Sequence, residues 1–327
     1  MPAMPKSKPI FLWITDPWDT LDHGRDTTLR LAEEAILLGY ESHWCDVRSI
    51  RLENGKVLLE SAPLSTESRK GKRPFPARIS SPSQFSSLHY RVDPPVDLAY
   101  THPLQLLILD AQGSPARRKR VTNPAELLIS HNEKIEATLL KDLMPQTLVS
   151  SQWGELLRFG KSQRKTVIKP MHEAQSKGVK LLSWNSTEEV DENRELIAEM
   201  TSQFSLPVLL QQYLPGISEG EQRLWFLDGS LLACAKKMPL KDDFRVNIDQ
   251  GSSLRETTLS PSEKASAREI GKYLKSAKIR LAAVDLIEGF VTDFNFTSPG
   301  LITQMESVLK KNLARPIIKA LVKPPKF

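Results

Sequence analysis

Cysteine is scarce. Cys45 and Cys234 are the two in 327 residues, they lie far apart, and they form no CxxC pair. No disulfide framework is expected, and a reducing compartment fits. The six histidines show no HxH or HExxH spacing, which removes the usual zinc arrangements. Long hydrophobic runs are also missing. The apolar stretch Ile10 to Ile14 is too short for the core of a signal peptide, and no run reaches membrane-spanning length. A soluble, cytoplasmic protein with no membrane partner is expected. Neither sign of charge dominates: 45 Lys+Arg stand against 39 Asp+Glu. That excess suits an anionic small substrate as well as nucleic acid and decides little. No internal repeat is visible.

What is present is an ordinary globular composition, 40% hydrophobic and 26% charged, long enough for two domains or three small ones. Pro9 to Thr15 predicts a buried strand. Asp26 predicts a helix N-cap before Thr27 to Leu38, with Gly39 as the stop, and Glu41 to Val47 predicts a second strand. This β-α-β unit opens a doubly wound α/β sheet. Asn54-Gly55 marks a hairpin within Leu52 to Leu59. Ser61 to Ser87, rich in Ser, Pro and basic residues, reads as a long surface excursion. Leu88 to Val92 is a strand broken by Asp93-Pro94-Pro95, and Thr101 to Ala111 a helix. The run Arg117-Arg118-Lys119-Arg120 lacks interleaved aromatics, so it reads as a solvated loop and no nucleic-acid partner is expected.

Further on, Asn132 to Leu143 predicts a helix closed by Pro145. Thr166 to Lys169 predicts a strand paired with Gly178 to Trp184, and Glu188 to Phe204 an amphipathic helix. Val208 to Tyr213 is a strand. Arg223 to Phe226 and Ser230 to Lys236 form a hairpin across Asp228-Gly229. Ser260 to Ala277 is a helix, and a single terminal helix runs from Thr303 to about Leu321. The C-terminal half therefore mixes sheet and helix in α+β fashion.

The most informative stretch is Leu281 to Pro299. Along an extended strand side chains alternate faces, which places Val291, Asp293 and Asn295 on one face and Phe290, Thr292, Phe294 and Phe296 on the other. An odd-length loop centred on Gly289 would bring Asp285 opposite Asp293 on the same face. A two-residue turn would put it on the wrong face. Two carboxylates and an amide oxygen make a hard-oxygen site suited to Mg²⁺. On spacing alone, a hairpin with solvated acids is the commoner arrangement. The rest of the chain tips the balance toward metal.

In order and at near-family spacing, several segments resemble the bacterial glutathione synthetases among the ATP-grasp ligases. Thr15-Asp16-Pro17 resembles the family's opening "MDP", and Arg25-Asp26-Thr27-Thr28 its "KDS" segment. Arg91-Val92-Asp93-Pro94-Pro95 resembles "RKDPP". Asn132-Glu133-Lys134 matches "NEK", and Ile168-Lys169-Pro170 "LKP". Tyr213-Leu214-Pro215 with Gly220-Glu221-Gln222-Arg223 and Asp228-Gly229 resembles "YLP…GDKR…DG". Asn295-Phe296-Thr297-Ser298-Pro299 resembles "INVTSP". Each piece is weak alone. The resemblance covers nearly everything outside Ser61 to Ser87.

It implies an ATP-grasp fold behind an N-terminal doubly wound α/β pre-ATP-grasp domain. The ranges are 1–124 for the substrate domain, 125–206 for the central lid, and 207–327 for the C-terminal domain with the metal site. The implied reaction phosphorylates the carboxylate of γ-glutamylcysteine with ATP, and the amine of glycine then attacks the acyl phosphate. Lys134 and Lys169 would neutralise ATP phosphates. Gln211, Gln212, Tyr213 and Leu214 would form the hinge at the adenine edge, with Glu221 on the ribose. Arg223, Arg245 and Asn247 would act near the transferred phosphate. Asp285, Asp293 and Asn295 would hold Mg²⁺ (or Mn²⁺). A homo-oligomer built through the N-terminal domains is implied.

There are departures from the pattern. Where the family has a glycine-rich "DGMGG" loop, this chain has His172-Glu173-Ala174-Gln175-Ser176-Lys177-Gly178. Without glycines, backbone N–H groups approach phosphates less closely, and Glu173 adds a like charge, so weaker ATP binding is expected. The family's metal-binding glutamate is Asp293 here, the lysine before Arg223 is Gln222, and a double glycine shrinks to Gly251-Ser252-Ser253. Two rivals follow: a diverged ligase with another acid or amine, and a nucleotide-binding interaction protein with lost ligase activity.

Overall fold

A computed structural model of the chain describes residues 8–241, 243–248 and 251–323. The first sheet is built round strand Ile10–Thr15, buried on both faces as a central parallel strand must be. It pairs in parallel with Glu41–Asp46 and Ser87–Tyr90, and the latter with Val121–Thr122. Helix Thr27–Leu37 connects the first two strands. Its N-terminus is set by Asp26, whose carboxylate accepts the Leu29 N–H at 2.7 Å. Gly39 ends it at φ +79, a conformation strained for any residue with a Cβ.

The other edge of this sheet is antiparallel, with Arg51–Glu53 and Lys56–Pro63 joined by the Asn54-Gly55 turn. Here the expected surface excursion is corrected. Lys56–Pro63 runs on to pair with Glu41–Asp46, and Arg78–Ser80 pairs back onto it. Leu64, Ser68 and Phe85 are buried. Cross-strand neighbours organise a segment whose own periodicity is weak.

A second, four-stranded antiparallel sheet runs in the order Lys180–Ser183, Lys165–Pro170, Val208–Gln212, Thr147–Ser150. It is covered by helices Trp153–Gln163 and Thr187–Met200. A third, five-stranded sheet runs in the order Ser253–Arg255, Ser230–Met238, Glu221–Leu227, Leu281–Ile287, Phe290–Asn295. Helix Pro261–Ser276 packs on it, with Ser260 as its cap.

Two predicted helices are broken. Asn132 to Leu143 keeps one helical turn, Glu133–Glu136, followed by 3-10 turns Ala137–Leu139 and Lys141–Leu143. Tertiary bonds decide this: Glu133 is drawn to Phe296 and Thr297, and Glu136 accepts the Tyr273 hydroxyl. The terminal helix divides into Ile302–Leu309 and Ala314–Leu321 at Lys310, which is left-handed at φ +51. Glu306 caps the second piece, accepting the Leu313 and Ala314 N–H groups at 2.7 and 2.9 Å.

The apolar core explains how the sheets are joined. Phe11 and Trp13 of the first sheet share a cluster with Trp225 and Ala283 of the third, filled by Ile317 and Ile318. The opposite face does the same through Leu12, Ile14, Phe226 and Phe294. The second sheet has a separate core of Leu156, Ile168, Trp184 and Ile197. Thus the first and third sheets form one packed body, and the second is a leaf set against it. Asn123 pins that body. Its Nδ2 donates to the Leu281 and Phe296 carbonyls at 2.7 and 2.6 Å, and its Oδ1 accepts the Arg280 and Leu281 N–H groups.

Candidate active site

A cleft of about 760 Å³ opens where the three sheets meet. All thirteen residues proposed from the sequence line it. Strand register explains the centre. Arg223 lies opposite Asp285 on one neighbour, and Asp285 lies opposite Asp293 on the next. The three therefore form a lateral row on one face of the third sheet. Two residues along, Glu221 lies opposite Lys237, and both are directed into the same cleft.

The expected loop of the hairpin that carries Asp285, Asp293 and Asn295, the proposed ligand hairpin, is corrected, although its register holds. The turn is the two-residue Glu288-Gly289, at φ +53 and +86. A β-bulge then restores the face: Leu286 pairs with Val291 and Asp285 with Asp293, leaving Thr292 as the extra residue. The bulge reverses the faces on its turn side. Val291 is buried, whereas Phe290 is 37% exposed and outside the core that Phe294 and Phe296 enter. It also frees the Thr292 carbonyl, which accepts the Lys169 ammonium at 2.5 Å. Lys169 further donates to Gln211 Oε1 at 3.1 Å, and burial pulls its pKa below the usual lysine range.

Asp285 is engaged on both oxygens. Arg223 Nε donates to Oδ1 at 2.7 Å, and Arg223 Nη2 and Lys237 Nζ donate to Oδ2 at 2.5 and 2.9 Å. Lys237 also pairs with Glu221. Burial alone would raise the Asp285 pKa, but the charges of Arg223 and Lys237 outweigh it and bring it down to about 2. Burial raises Glu221 against the pull of Lys237. Asp293 Oδ2 accepts from Asn295 Nδ2 at 3.2 Å.

Lys237 is the residue that sequence reasoning missed. A signal existed: Ala235 and Lys237 share a strand face, Ala235 is fully buried, and a lysine on such a face needs partners. Lys134 is delivered by its neighbour. The Glu133 carboxylate accepts the Phe296 and Thr297 N–H groups and the Thr297 hydroxyl, at 2.5, 2.7 and 2.9 Å. That fixes the end of the ligand hairpin beside Lys134. Arg245 and Asn247 are at the rim, not in the inner cluster. Arg245 pairs with Asp243 at 3.0 Å, and Asn247 Nδ2 donates to the Gln175 carbonyl at 2.9 Å.

Beside the polar cluster lies an apolar floor of Leu214, Ile217 and Ile287, flanked by Tyr213, Phe244 and Val246. The hinge is locked to the ligand hairpin by the Gly216 N–H, which donates to Glu288 Oε1 at 2.6 Å. The N–H groups of Gln212 and Tyr213 are engaged by the Gln146 and Lys165 carbonyls. An apolar slot, the half-buried Lys134 and Lys169 and hard-oxygen donors together suit a nucleotide whose phosphates face a cation. Among the described residues no group of three or more His, Cys, Asp or Glu is arranged for a metal, and Asn295 adds an amide oxygen beside the two carboxylates of the row. Asp285, Asp293 and Asn295 have the right donor chemistry, provided Asp285 exchanges its cationic neighbours.

Residues 10–126 match the N-terminal domain of prokaryotic glutathione synthetase, and residues 133–310 match its ATP-grasp domain. The chain belongs to the prokaryotic glutathione synthetase family. Similar to it is the glutathione synthetase of Prochlorococcus marinus (strain MIT 9313), 27% identical over 314 residues, covering 95% of this chain and 98% of the relative. The enzyme of Nostoc sp. (strain PCC 7120) is 28% identical over 319 residues, covering 94% and 96%. The fold is also that of D-cycloserine synthetase DcsG, at TM-score 0.63 and 16% identity over 95% of this chain and 99% of that one. Macrocyclase MdnC from Microcystis aeruginosa shares it at TM-score 0.64 and 12% identity, over 96% and 99%. Like its family, this chain is an ATP-dependent ligase with an ATP-grasp fold. No helix among the described residues is long and apolar enough to cross a membrane.

Proposed function

We propose that the chain ligates γ-glutamylcysteine to glycine. The observation carrying this is the convergence of Lys134, Lys169, Arg223 and the Asp285–Asp293–Asn295 row in a cleft that also reaches Arg91 and Asp93, just past the first sheet's strand Ser87–Tyr90. ATP sits with its base on the apolar floor, against the Leu214 end of the hinge, and with its ribose near Glu221. Lys134 and Lys169 face the phosphates. Asp285, Asp293 and Asn295 hold Mg²⁺ or Mn²⁺, which when bound supplies charge neutralisation on the phosphate oxygens. The substrate carboxylate oxygen attacks the terminal phosphorus, the bond to the ADP oxygen breaks, and an acyl phosphate forms. Arg223, with Arg245 and Asn247 brought in from the rim, stabilises charge on the transferred phosphoryl group. The amine of glycine then attacks the acyl carbon, losing a proton as phosphate leaves.

The division at 124/125 and 206/207 stays part of this reading. It is supported by one sheet per range, apart from Val208–Gln212, which the third range lends to the second sheet. A homo-oligomer does too, supported by exposed Ile79 on the edge strand Arg78–Ser80 and exposed Phe75 just before it, and so does a cytoplasmic location. The test is ATP-dependent phosphate release, screened over γ-glutamyl dipeptides and small amino acids. Release that requires γ-glutamylcysteine and glycine together is expected. Release with another pair selects the diverged ligase, which the glycine-poor loop favours. If no pair supports release and millimolar ATP-Mg²⁺ leaves the thermal midpoint unmoved, ligase activity has been lost.

A further inference from the structure

A phosphate cradle presents backbone N–H groups to its ligand. The loop His172 to Gly178 does the opposite. Its Glu173 carbonyl accepts from Lys134 Nζ at 2.5 Å, and its Gln175 carbonyl accepts from Asn247 Nδ2 at 2.9 Å. Two N–H groups close its own turns, Lys177 on the Ala174 carbonyl at 3.0 Å and Val179 on that of Ser176 at 3.2 Å. Its other bonds run to the first sheet's side of the cleft. The Val96 N–H donates to the His172 carbonyl at 3.0 Å, and Gln175 Nε2 donates to Asp93 Oδ2 at 3.1 Å. Gln175 and Ser176 hold this shape at φ +57 and +61, a region that residues with a Cβ leave unless their surroundings hold them there.

We propose that Gln175 and Lys177 recognise the acid substrate and not the nucleotide, completing from the lid a subsite that Arg91 and Asp93 begin. The proposal rests on the ligase reading above. Arg91 is buried and anchored, with Nε on Thr28 Oγ1 at 3.2 Å and Nη2 on the Pro299 carbonyl at 2.8 Å. Asp16 stands beside Asp93, its Oδ2 accepting the Asp93 N–H at 2.9 Å. Gln175 and Lys177 are exposed and line the same cleft. Two cations, Arg91 and Lys177, and two carboxylates, Asp16 and Asp93, complement a zwitterion. The substrate class is an acid that carries, away from its activated carboxylate, an end with both an α-ammonium and an α-carboxylate. The ammonium displaces the Gln175 amide from Asp93, and the displaced amide turns with Lys177 to the carboxylate, where both donate to it. Side chains at 175 and 177 then do what glycines cannot, which accounts for their presence in the loop.

The test uses the full-length protein, Gln175→Ala and Lys177→Gln. Calorimetry first measures Mg–ADP affinity, then the affinity of Mg–ADP-saturated protein for γ-glutamylcysteine and for its N-acetyl derivative. Both variants are expected to bind Mg–ADP within about twofold of the parent. Lys177→Gln should lose about tenfold in γ-glutamylcysteine affinity and Gln175→Ala about fivefold, and the parent should bind the N-acetyl form about tenfold more weakly. A tenfold loss of Mg–ADP affinity in Lys177→Gln overturns the proposal and makes the loop a phosphate cradle. Unchanged γ-glutamylcysteine affinity in both variants overturns it as well. If the parent binds no γ-glutamylcysteine, the substrate named above is wrong, while the Mg–ADP comparison still decides where the loop acts.

Discussion

Arg223 grips Asp285 through both carboxylate oxygens, at 2.7 and 2.5 Å, across two neighbouring strands of the third sheet. Both side chains are buried, and Lys237 adds a third charge. Removing the acid alone leaves cations in a dry site. Asp285→Asn is therefore expected to lower the unfolding free energy by about 3–5 kcal/mol. Adding Arg223→Met should recover part of that loss, since one uncompensated charge goes with it. Urea unfolding of the three proteins measures both. A loss under about 1 kcal/mol in the single variant would mean that the pair is relaxed by solvent.

The outer half of the row behaves differently. Asp293 and Asn295 share one 3.2 Å bond, and Asn295 has a second weak one to the Ala283 carbonyl at 3.3 Å. Asp293→Asn with Asn295→Ala should abolish turnover yet keep apo stability within about 1 kcal/mol of the parent, net hydrogen-bond losses being offset by relief of acid repulsion. Phosphate release and a denaturation curve on the same sample settle it. Normal turnover in the double variant would remove the metal assignment.

The loop after Lys169 offers a gain-of-function experiment. Replacing Glu173 to Ser176 with Gly-Met-Gly-Gly removes the acid and relaxes the two left-handed positions at Gln175 and Ser176. N–H groups can then turn to the phosphates. Tighter ATP binding is expected, by about tenfold, on calorimetric titration. Equal or weaker affinity would show that the present loop already binds phosphate in its own way.

Cys45 is fully buried, and burial pushes its thiol up to about 12. The native protein should therefore resist thiol reagents at pH 8 at this position, while half-buried Cys234 reacts first. The stability consequence has a definite sign. A thiol raised in the folded state is neutral in both states below about pH 8.5, so its contribution is intact there. Above that, the unfolded chain ionises and the folded one does not, so stability falls up to about pH 12. Cys45→Ala should lose less stability than the parent between pH 9 and 10.5, roughly 1–2 kcal/mol less. Parallel alkaline losses in the two proteins would sink this expectation.

Much of the candidate site was legible in the sequence, because its residues lie in short local patterns. Asp285, Asp293 and Asn295 are spaced along one hairpin, Lys169 ends an apolar strand, and Arg223 follows a turn. Period-two alternation and turn chemistry act over a few residues, so sequence carries them directly. The β-α-β opening and the Asn54-Gly55 hairpin were readable for the same reason.

What only the tertiary structure decided involves residues far apart in the chain. Lys237 became part of the site because its strand register sets it opposite Glu221 and within reach of Asp285. The two-residue turn kept Asp285 facing Asp293 because a bulge at Thr292 was stabilised by Lys169 from another sheet. The helix after Asn132 stopped after one turn because Glu133 bonds to Phe296 and Thr297. In each case a long-range bond outweighs a local preference worth about 1 kcal/mol or less. A buried charge or backbone group left unpaired costs more than that preference, so the fold gave way locally to satisfy it.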